Sequence, residues 1–383
     1  MRVARWRAVV TVLAASGLVL TLGACGSSGA SGEDSPSAST AEWQKGGGAE
    51  WEAVLEKGRS EGEVTIAGSP FLEGPISEAF EADTGIKVNY VGGPGSENSA
   101  RFDTEALAGS PSIDLIIGKG TQIRTLHPKG LLEAIEPQMI LPSTKDGSAW
   151  RGGKKLWFDP EGKYIFLGSS YVFGFVTVNA DIIDPAEIKT WDDLLDPKYK
   201  GKIASYDPTV SPSPGQGVAV AMAKTHGYEL VQKVFVDAKP TFYRDPQQLA
   251  QAVARGTQPI GIALTQSSVE QFRGEGINLE VIHLDPFPGY VSGGFGGINQ
   301  AKKSPHPAAA QVFINWFASP AGQQIYQDTM LETSTRADLD MSELPEYVVP
   351  QDGVDYFSDV DSDFYLNEQM GIVEKIVKLV GAK

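Results

Sequence analysis

The 383-residue chain carries 48 acidic against 32 basic side chains, a net charge of −16, and 41% of it is hydrophobic. That acidity excludes nucleic acid as a partner and docking to anionic lipid through a basic patch, while the apolar share is ample for two cores. The sequence shows no internal repeat of solenoid length, and its single cysteine leaves no intramolecular disulfide.

At the N-terminus, Arg2, Arg5 and Arg7 precede an uncharged apolar run from Ala8 to Leu22. A basic start and a short apolar stretch ending in small residues read as a secretory signal. The run is about fifteen residues, short of the roughly 20 that a bilayer span needs. It ends at Leu22-Gly23-Ala24-Cys25, which resembles the bacterial lipobox, where the cysteine takes a lipid and becomes the mature N-terminus. Residues 1–24 are therefore assigned as a lipoprotein signal peptide and Cys25 as the lipid anchor on the extracytoplasmic face of the cell membrane. Residues 25–48, rich in glycine and serine, are assigned as a flexible tether.

Beyond the tether, strands and helices alternate. The β-branched run Glu63–Ala67 is followed by a helical pattern over about Leu72–Ala82, with Phe71, Ile76 and Phe80 near helical spacing. Ile86–Val91 alternates as a strand, Ala100–Leu107 is helical, and Ile113–Ile117 is a strand again. This order predicts a parallel sheet with flanking helices. A second series has strands at Ile203–Tyr206, Thr241–Tyr243 and Ile260–Leu264, with helices near Gly217–Thr225, Glu229–Ala238 and Pro246–Arg255. Two α/β lobes are the economical reading.

Two segments suit crossings between the lobes: the glycine-interrupted β-rich stretch Tyr164–Asn179 and the run Gly289–Asn299, which holds Gly289, Gly293, Gly294, Gly296 and Gly297. Two crossings make a hinge, and a hinge makes a cleft that can close on a ligand. Lobe 1 is expected to comprise residues 49–170 and 296–383, and lobe 2 residues 171–295. The amphipathic run Pro307–Asp328 and the C-terminal helix return to lobe 1 in this reading. The last helix is expected to pack Leu366, Met370, Val373, Val377 and Val380 as one apolar stripe, with the acids of Asp359–Asp363 capping it.

The run Thr190–Ile203 (TWDDLLDPKYKGKI), followed by Asp207-Pro208, resembles the type II periplasmic binding proteins, in the branch of ferric-ion, thiamine, sugar-phosphate and polyamine binders. Gly109–Leu115 (GSPSIDL) and Pro305–Ala310 (PHPAAA) support the resemblance, which covers roughly residues 60 to 330. It implies an α/β, two-lobed fold, each lobe a mostly parallel sheet flanked by helices, with a two-crossing hinge. It also implies a monomer that captures a small-molecule solute and passes it to an ABC permease with its ATPase, without catalysis or cofactor. The same fold also serves sensor subunits that present a ligand to a receptor. An extracellular hydrolase is the enzymatic alternative, but no carboxylate pair stands at a distinctive spacing.

Ligands of open parallel sheets bind beyond the carboxyl ends of strands, where helix N-termini present free N–H groups. In lobe 1 those positions give Ser69, Ser96, Lys119 and Thr121 as candidate contacts; in lobe 2 they give Thr209, Ser211, Arg244, Gln266, Ser267 and Ser268. Tyr171 and Tyr290, on the crossings, are expected to face the cleft. This hydroxyl-rich set with Arg244 favours an anionic oxygen group, such as a phosphorylated or phosphonate compound. Ferric-ion binders of the resembled branch carry adjacent tyrosines after the strand matching Ile260–Leu264, where this chain has Gln266-Ser267-Ser268. A ferric chelate, thiamine or a polyamine remains the alternative ligand. The histidines, at 127, 226, 283 and 306, lack short metal-ligand spacing, and no metal site is expected. Gly118-Lys119-Gly120 lacks the rest of a phosphate-binding Walker loop.

Overall fold

The structure, a computed structural model, describes residues 42–351 and 353–381. The signal peptide, Cys25 and most of the tether lie outside the described residues. The last tether residues do not follow expectation: Glu42–Gln44 form a 3₁₀ turn in which Trp43 is buried. Its ring meets Trp51 edge-on at 5.5 Å, because a residue this apolar gains more from the core than from solvent.

The first lobe opens with α1 (Gly48–Glu61), β1 (Glu63–Gly68), α2 (Glu73–Thr84), β2 (Lys87–Gly92), α3 (Gly95–Ala108) and β3 (Leu115–Gly118). Short α4 (Gln122–Thr125), β4 (Leu132–Glu133), α5 (Pro142–Lys145), β5 (Leu156–Trp157) and β6 (Phe166–Leu167) complete its first pass. β7 (Tyr171–Phe173) leads to β8 (Val176–Asn179) and the second lobe: β9 (Ile203–Tyr206), α6 (Pro214–His226), α7 (Tyr228–Gln232), β10 (Thr241–Tyr243), α8 (Pro246–Ala254), β11 (Ile260–Ile262), α9 (Gln266–Gly274) and β12 (Leu279–Ile282). β13 (Tyr290–Ser292) returns the chain to β14 (Gly297–Ala301), α10 (Pro307–Ala318) and α11 (Pro320–Met330), and α12 (Ser362–Asn367) and α13 (Gln369–Gly381) finish it.

The first sheet runs β2-β1-β3-β14-β6-β5 and the second β10-β9-β11-β8-β12. In each, three strands are parallel: β2, β1 and β3 in one, β10, β9 and β11 in the other. The strand that enters from the opposite lobe is antiparallel, β14 beside β3 and β8 beside β11. The geometry requires this. The carboxyl ends of the parallel strands face the junction of the lobes, so an arriving strand starts at that end and runs against its neighbours. Between the sheets, β7 and β13 pair antiparallel, with Tyr171 opposite Ser292 and Phe173 opposite Tyr290. Both expected crossings are thus present as one two-stranded ribbon, and the lobes belong to one unit, Thr40–Lys383.

The Thr190 run builds the second lobe as its capping chemistry dictates. The Thr190 hydroxyl accepts from the Asp193 N–H at 3.3 Å while the Asp193 carboxylate accepts from the Thr190 N–H at 2.8 Å, a reciprocal cap. Buried Trp191 donates its indole N–H to the Leu284 and Phe287 carbonyls.

The C-terminal segment departs from expectation. It does not return to lobe 1 as a block but stitches the lobes together. Tyr365 packs in the lobe 1 core, whereas Val348, Phe364, Ile376 and Val380 join the lobe 2 core. The buried stripe is also rotated by about a residue from the expected one: Ile372, Val373, Ile376, Leu379 and Val380 face α6 and α7, while Leu366, Met370 and Val377 are exposed. The cause is a break at Glu368, between α12 and α13, across which no single helical period runs. Capping is confined to Asp361, which accepts from the N–H groups of Asp363 and Phe364 at the start of α12.

Candidate functional site

Two adjoining cavities lie where the carboxyl ends of β3, β9 and β11 meet the ribbon. The first is walled by Lys119, Tyr171, Ser213, Thr265, Tyr290 and Phe295, among others. The second shares Lys119 and Ser213 and adds Thr121, Arg124, Ser211 and Gln216. They measure about 30 and 40 Å³, room for a few waters and not for a sugar-sized solute.

Local sequence explains the walls. Ser213 caps α6 by accepting from the Gln216 N–H at 3.1 Å, with Pro214 at the first helical position, where its missing N–H costs nothing. Thr265 caps α9, accepting from the Ser268 N–H at 3.4 Å. Both helices thus turn their positive ends toward the cavities. Gly294, in the left-handed region at φ 57, closes over Glu332, and a Cβ there would stand 2.1 Å from the Glu332 carboxylate. The Tyr290 hydroxyl lies against Gly217, where a Cβ would come within 2.2 Å of it.

The charges are concentrated on the floor. Lys119 pairs with Asp359, which the C-terminal segment delivers; Asp359 also accepts from the Gly293 N–H at 3.2 Å and the Ser292 hydroxyl at 3.4 Å. Behind the ribbon, Glu332 is fully buried and accepts from the Tyr326 hydroxyl at 2.6 Å and the Phe295 N–H at 3.3 Å. Burial pushes its carboxyl up, and the surrounding donors only partly offset this. Burial likewise pushes the Tyr171 and Tyr290 phenols well above their ordinary range, reinforced by the nearby carboxylates.

Of the residues expected from the sequence, Lys119, Tyr171 and Tyr290 line the first cavity, and Lys119, Thr121 and Ser211 the second. The others line neither. Ser69 accepts through its carbonyl from the Tyr90 hydroxyl, and Ser96 sits in the first turn of α3. Thr209 donates to Asp207 at 2.6 Å. Ser267 and Ser268 hydrogen-bond to the Thr265 hydroxyl. Gln266 is buried behind the wall, donating to the Met330 carbonyl at 2.8 Å.

Arg244 needs correction. Its side chain is 75% exposed and its Nε meets Asp207 at 2.9 Å, so it serves a surface turn and not the cavity. Burial would raise the Asp207 carboxyl, but Thr209 and Arg244 together hold it below its ordinary range.

Sequence reasoning missed Ser213, Arg124, Gln216 and Ser292, which line the cavities, and Asp359 as the partner of Lys119. Ser213-Pro214 was a readable signal, since a serine before proline marks a helix start, three residues before the one expected. Each histidine has a structural partner: His127 with Glu161, His306 with Asp114, His226 with Thr225 and His283 with the Pro288 carbonyl. Among the described residues no three His, Cys, Asp or Glu side chains converge as metal ligands, and no helix is long and apolar enough to cross a membrane.

Residues 76–344 match the family model of the bacterial extracellular solute-binding proteins. The chain belongs to that family. Its members are extracellular solute-binding proteins of the kind that serve ABC importers. The binding protein is 23% identical over 255 residues to iron uptake protein A1 of Synechocystis, a match spanning 64% of this chain and 67% of the relative. Among solved structures it resembles AfuA of Actinobacillus pleuropneumoniae with fructose-6-phosphate bound, at TM-score 0.63 and 18% identity, over 84% of this chain and 98% of AfuA. It also resembles iron-bound HitA of Pseudomonas aeruginosa, at TM-score 0.61 and 19% identity, over 82% and 99% of the two chains. These likenesses establish the two-lobed type II binding-protein fold.

Proposed function

We propose that this chain is the lipid-anchored binding subunit of an ABC importer and that it captures a small polar solute bearing an anionic oxygen group in the interlobe cleft. One observation carries the reading: Lys119 shares its cavity with the capped N-termini of α6 and α9 and with the hydroxyl residues Tyr171, Thr265 and Tyr290. A cation, two positive helix ends and several donors are what an oxyanion needs. The cation in this reading is Lys119, not Arg244. Thr121 and Ser211 are the further contacts, one from each lobe.

Residues 25–48 act as the tether in this reading, and lobe closure on the solute is the signal to the permease. Saturating solute is expected to reduce the radius of gyration in solution scattering, because closure requires contacts from both lobes to one ligand. An unchanged radius with bound solute contradicts the hinge. Cys25→Ala is expected to move the protein from the membrane to the soluble fraction on cell fractionation. Retention in the membrane contradicts the anchor.

A ferric chelate is the second reading. Tyr171, Tyr290 and Asp359 bring hard oxygen donors to one place, which suits a chelated ferric ion. Titration with ferric citrate separates the two, since tyrosinate coordination gives a visible charge-transfer band and oxyanion capture gives none.

A further inference from the structure

The second cavity has its own chemistry. Arg124, on α4, donates through Nη2 to the Tyr365 carbonyl and, at 3.0 Å, to Gln369 Oε1, and its guanidinium lies 3.6 Å over the Tyr365 ring. These partners are neutral. Among the described residues no carboxylate forms an ion pair with Arg124, and its Nε is buried with no hydrogen-bond partner. Gln216, in the lining of the same cavity and only 6% exposed, also leaves its Nε2 unpartnered. Buried donors are almost always satisfied, and a half-buried guanidinium whose partners are all neutral keeps its charge free for an anionic acceptor. Both residues line the second cavity together with Lys119, Ser211 and Ser213, so a guanidinium, an amide and an ammonium surround one space beside the start of α6. Asp359 is already paired with Lys119. Tyr365 and Gln369, which hold Arg124, come from the C-terminal segment, beyond the stretch 76–344 that matches the family model.

We propose that this second cavity is an oxyanion subsite, in which Arg124 and Gln216 hold a phosphate or carboxylate group next to the one at Lys119. The proposal rests on the cleft reading above. The group is either a second anionic group of the solute or a free anion bound beside it. In both cases the solute region of this protein accepts two oxyanions, one in each cavity, separated by Lys119.

Calorimetry on the full chain with inorganic phosphate and with fructose 1,6-bisphosphate tests it. Wild type is expected to bind phosphate. Arg124→Gln is expected to weaken phosphate binding by about ten- to a hundredfold, the weight of a charge-assisted contact. Gln216→Glu keeps the shape of the side chain and places a negative charge in the subsite, so it is expected to weaken phosphate at least as much. Circular dichroism of this second variant guards against loss of fold. Competition between the two probes assigns the subsite to the solute's own group; simultaneous binding assigns it to a free anion. Lys119→Met separates the claims. Phosphate binding lost in Lys119→Met but unaltered in Arg124→Gln and Gln216→Glu overturns the subsite and leaves the cleft reading standing. Absence of phosphate binding in wild type also overturns the subsite.

Discussion

Replacing Lys119 by methionine is expected to weaken solute binding by about two orders of magnitude or more. Methionine keeps much of the stem, so the change is one of charge. A charge-assisted hydrogen bond contributes about 1.5–3 kcal/mol, or about ten- to over a hundredfold in affinity. The neighbour adds to this. Asp359 is 5% exposed and has Lys119 as its ion-pair partner, so the substitution leaves a buried carboxylate facing an anionic solute. The same orphaned charge is expected to lower stability by about 2–4 kcal/mol, somewhat less than full burial of the pair would imply. The double variant Lys119→Met, Asp359→Asn distinguishes the effects. Its melting temperature is expected to recover toward wild type, because the buried charge is gone, while affinity measured by calorimetry stays low. Wild-type affinity in the single variant contradicts the assignment of Lys119.

Arg336→Met is expected to cost about 3–5 kcal/mol of stability. Arg336 is 1% exposed and serves four acceptors: both Asp338 oxygens at 2.8 and 2.7 Å, the Ser143 carbonyl at 3.0 Å and the Ala318 carbonyl at 2.8 Å. Its guanidinium also lies 4.8 Å over Trp150. Asp338, whose side chain is 43% exposed, can turn to water. The two carbonyls cannot easily, so most of the loss falls there. Arg336→Lys is expected to recover little, since an ammonium cannot reproduce the planar fork. The displacement of the denaturant midpoint measures both variants, and a midpoint for Arg336→Met equal to wild type contradicts the argument.

Much of the fold was legible because local chemistry and tertiary demand agree. The runs at Glu63, Lys87 and Leu115 are strands because alternate or continuous apolar residues suit a sheet covered on both faces. Thr190 and Asp193 cap each other within three residues, which sequence alone displays. The two crossings were readable from β-rich segments broken by glycine, and they emerged as β7 and β13. The extent of lobe 1 was not readable. Which core receives residues 346–381 depends on where Tyr347, Phe364 and Ile376 find complementary surface, and the break at Glu368 shifts the helical phase that the apolar pattern suggested.

The site was legible only at its strand ends. Position after a parallel strand selected Lys119, Thr121 and Ser211, and position on a crossing selected Tyr171 and Tyr290, and these line the two cavities. The same rule selected Arg244, where it misled, because Asp207 stands close enough in space to claim its guanidinium. Asp359 lies 240 residues from Lys119 in sequence, and Arg124 meets Gln369 at a separation of 245. No local pattern announces such pairs. Gln216 follows from the same Ser213 cap, had α6 been started at Pro214.

The most direct test of the account is a thermal-shift screen of the full chain against fructose 6-phosphate, a phosphonate, thiamine, spermidine and ferric citrate. A ligand that binds only the folded state at a hundred times its dissociation constant adds about 2.7 kcal/mol, enough to read as a clear rise in melting temperature. The account predicts that the phosphorylated or phosphonate compounds raise it and that spermidine does not. Stabilisation by spermidine, with none from any anionic compound, contradicts it.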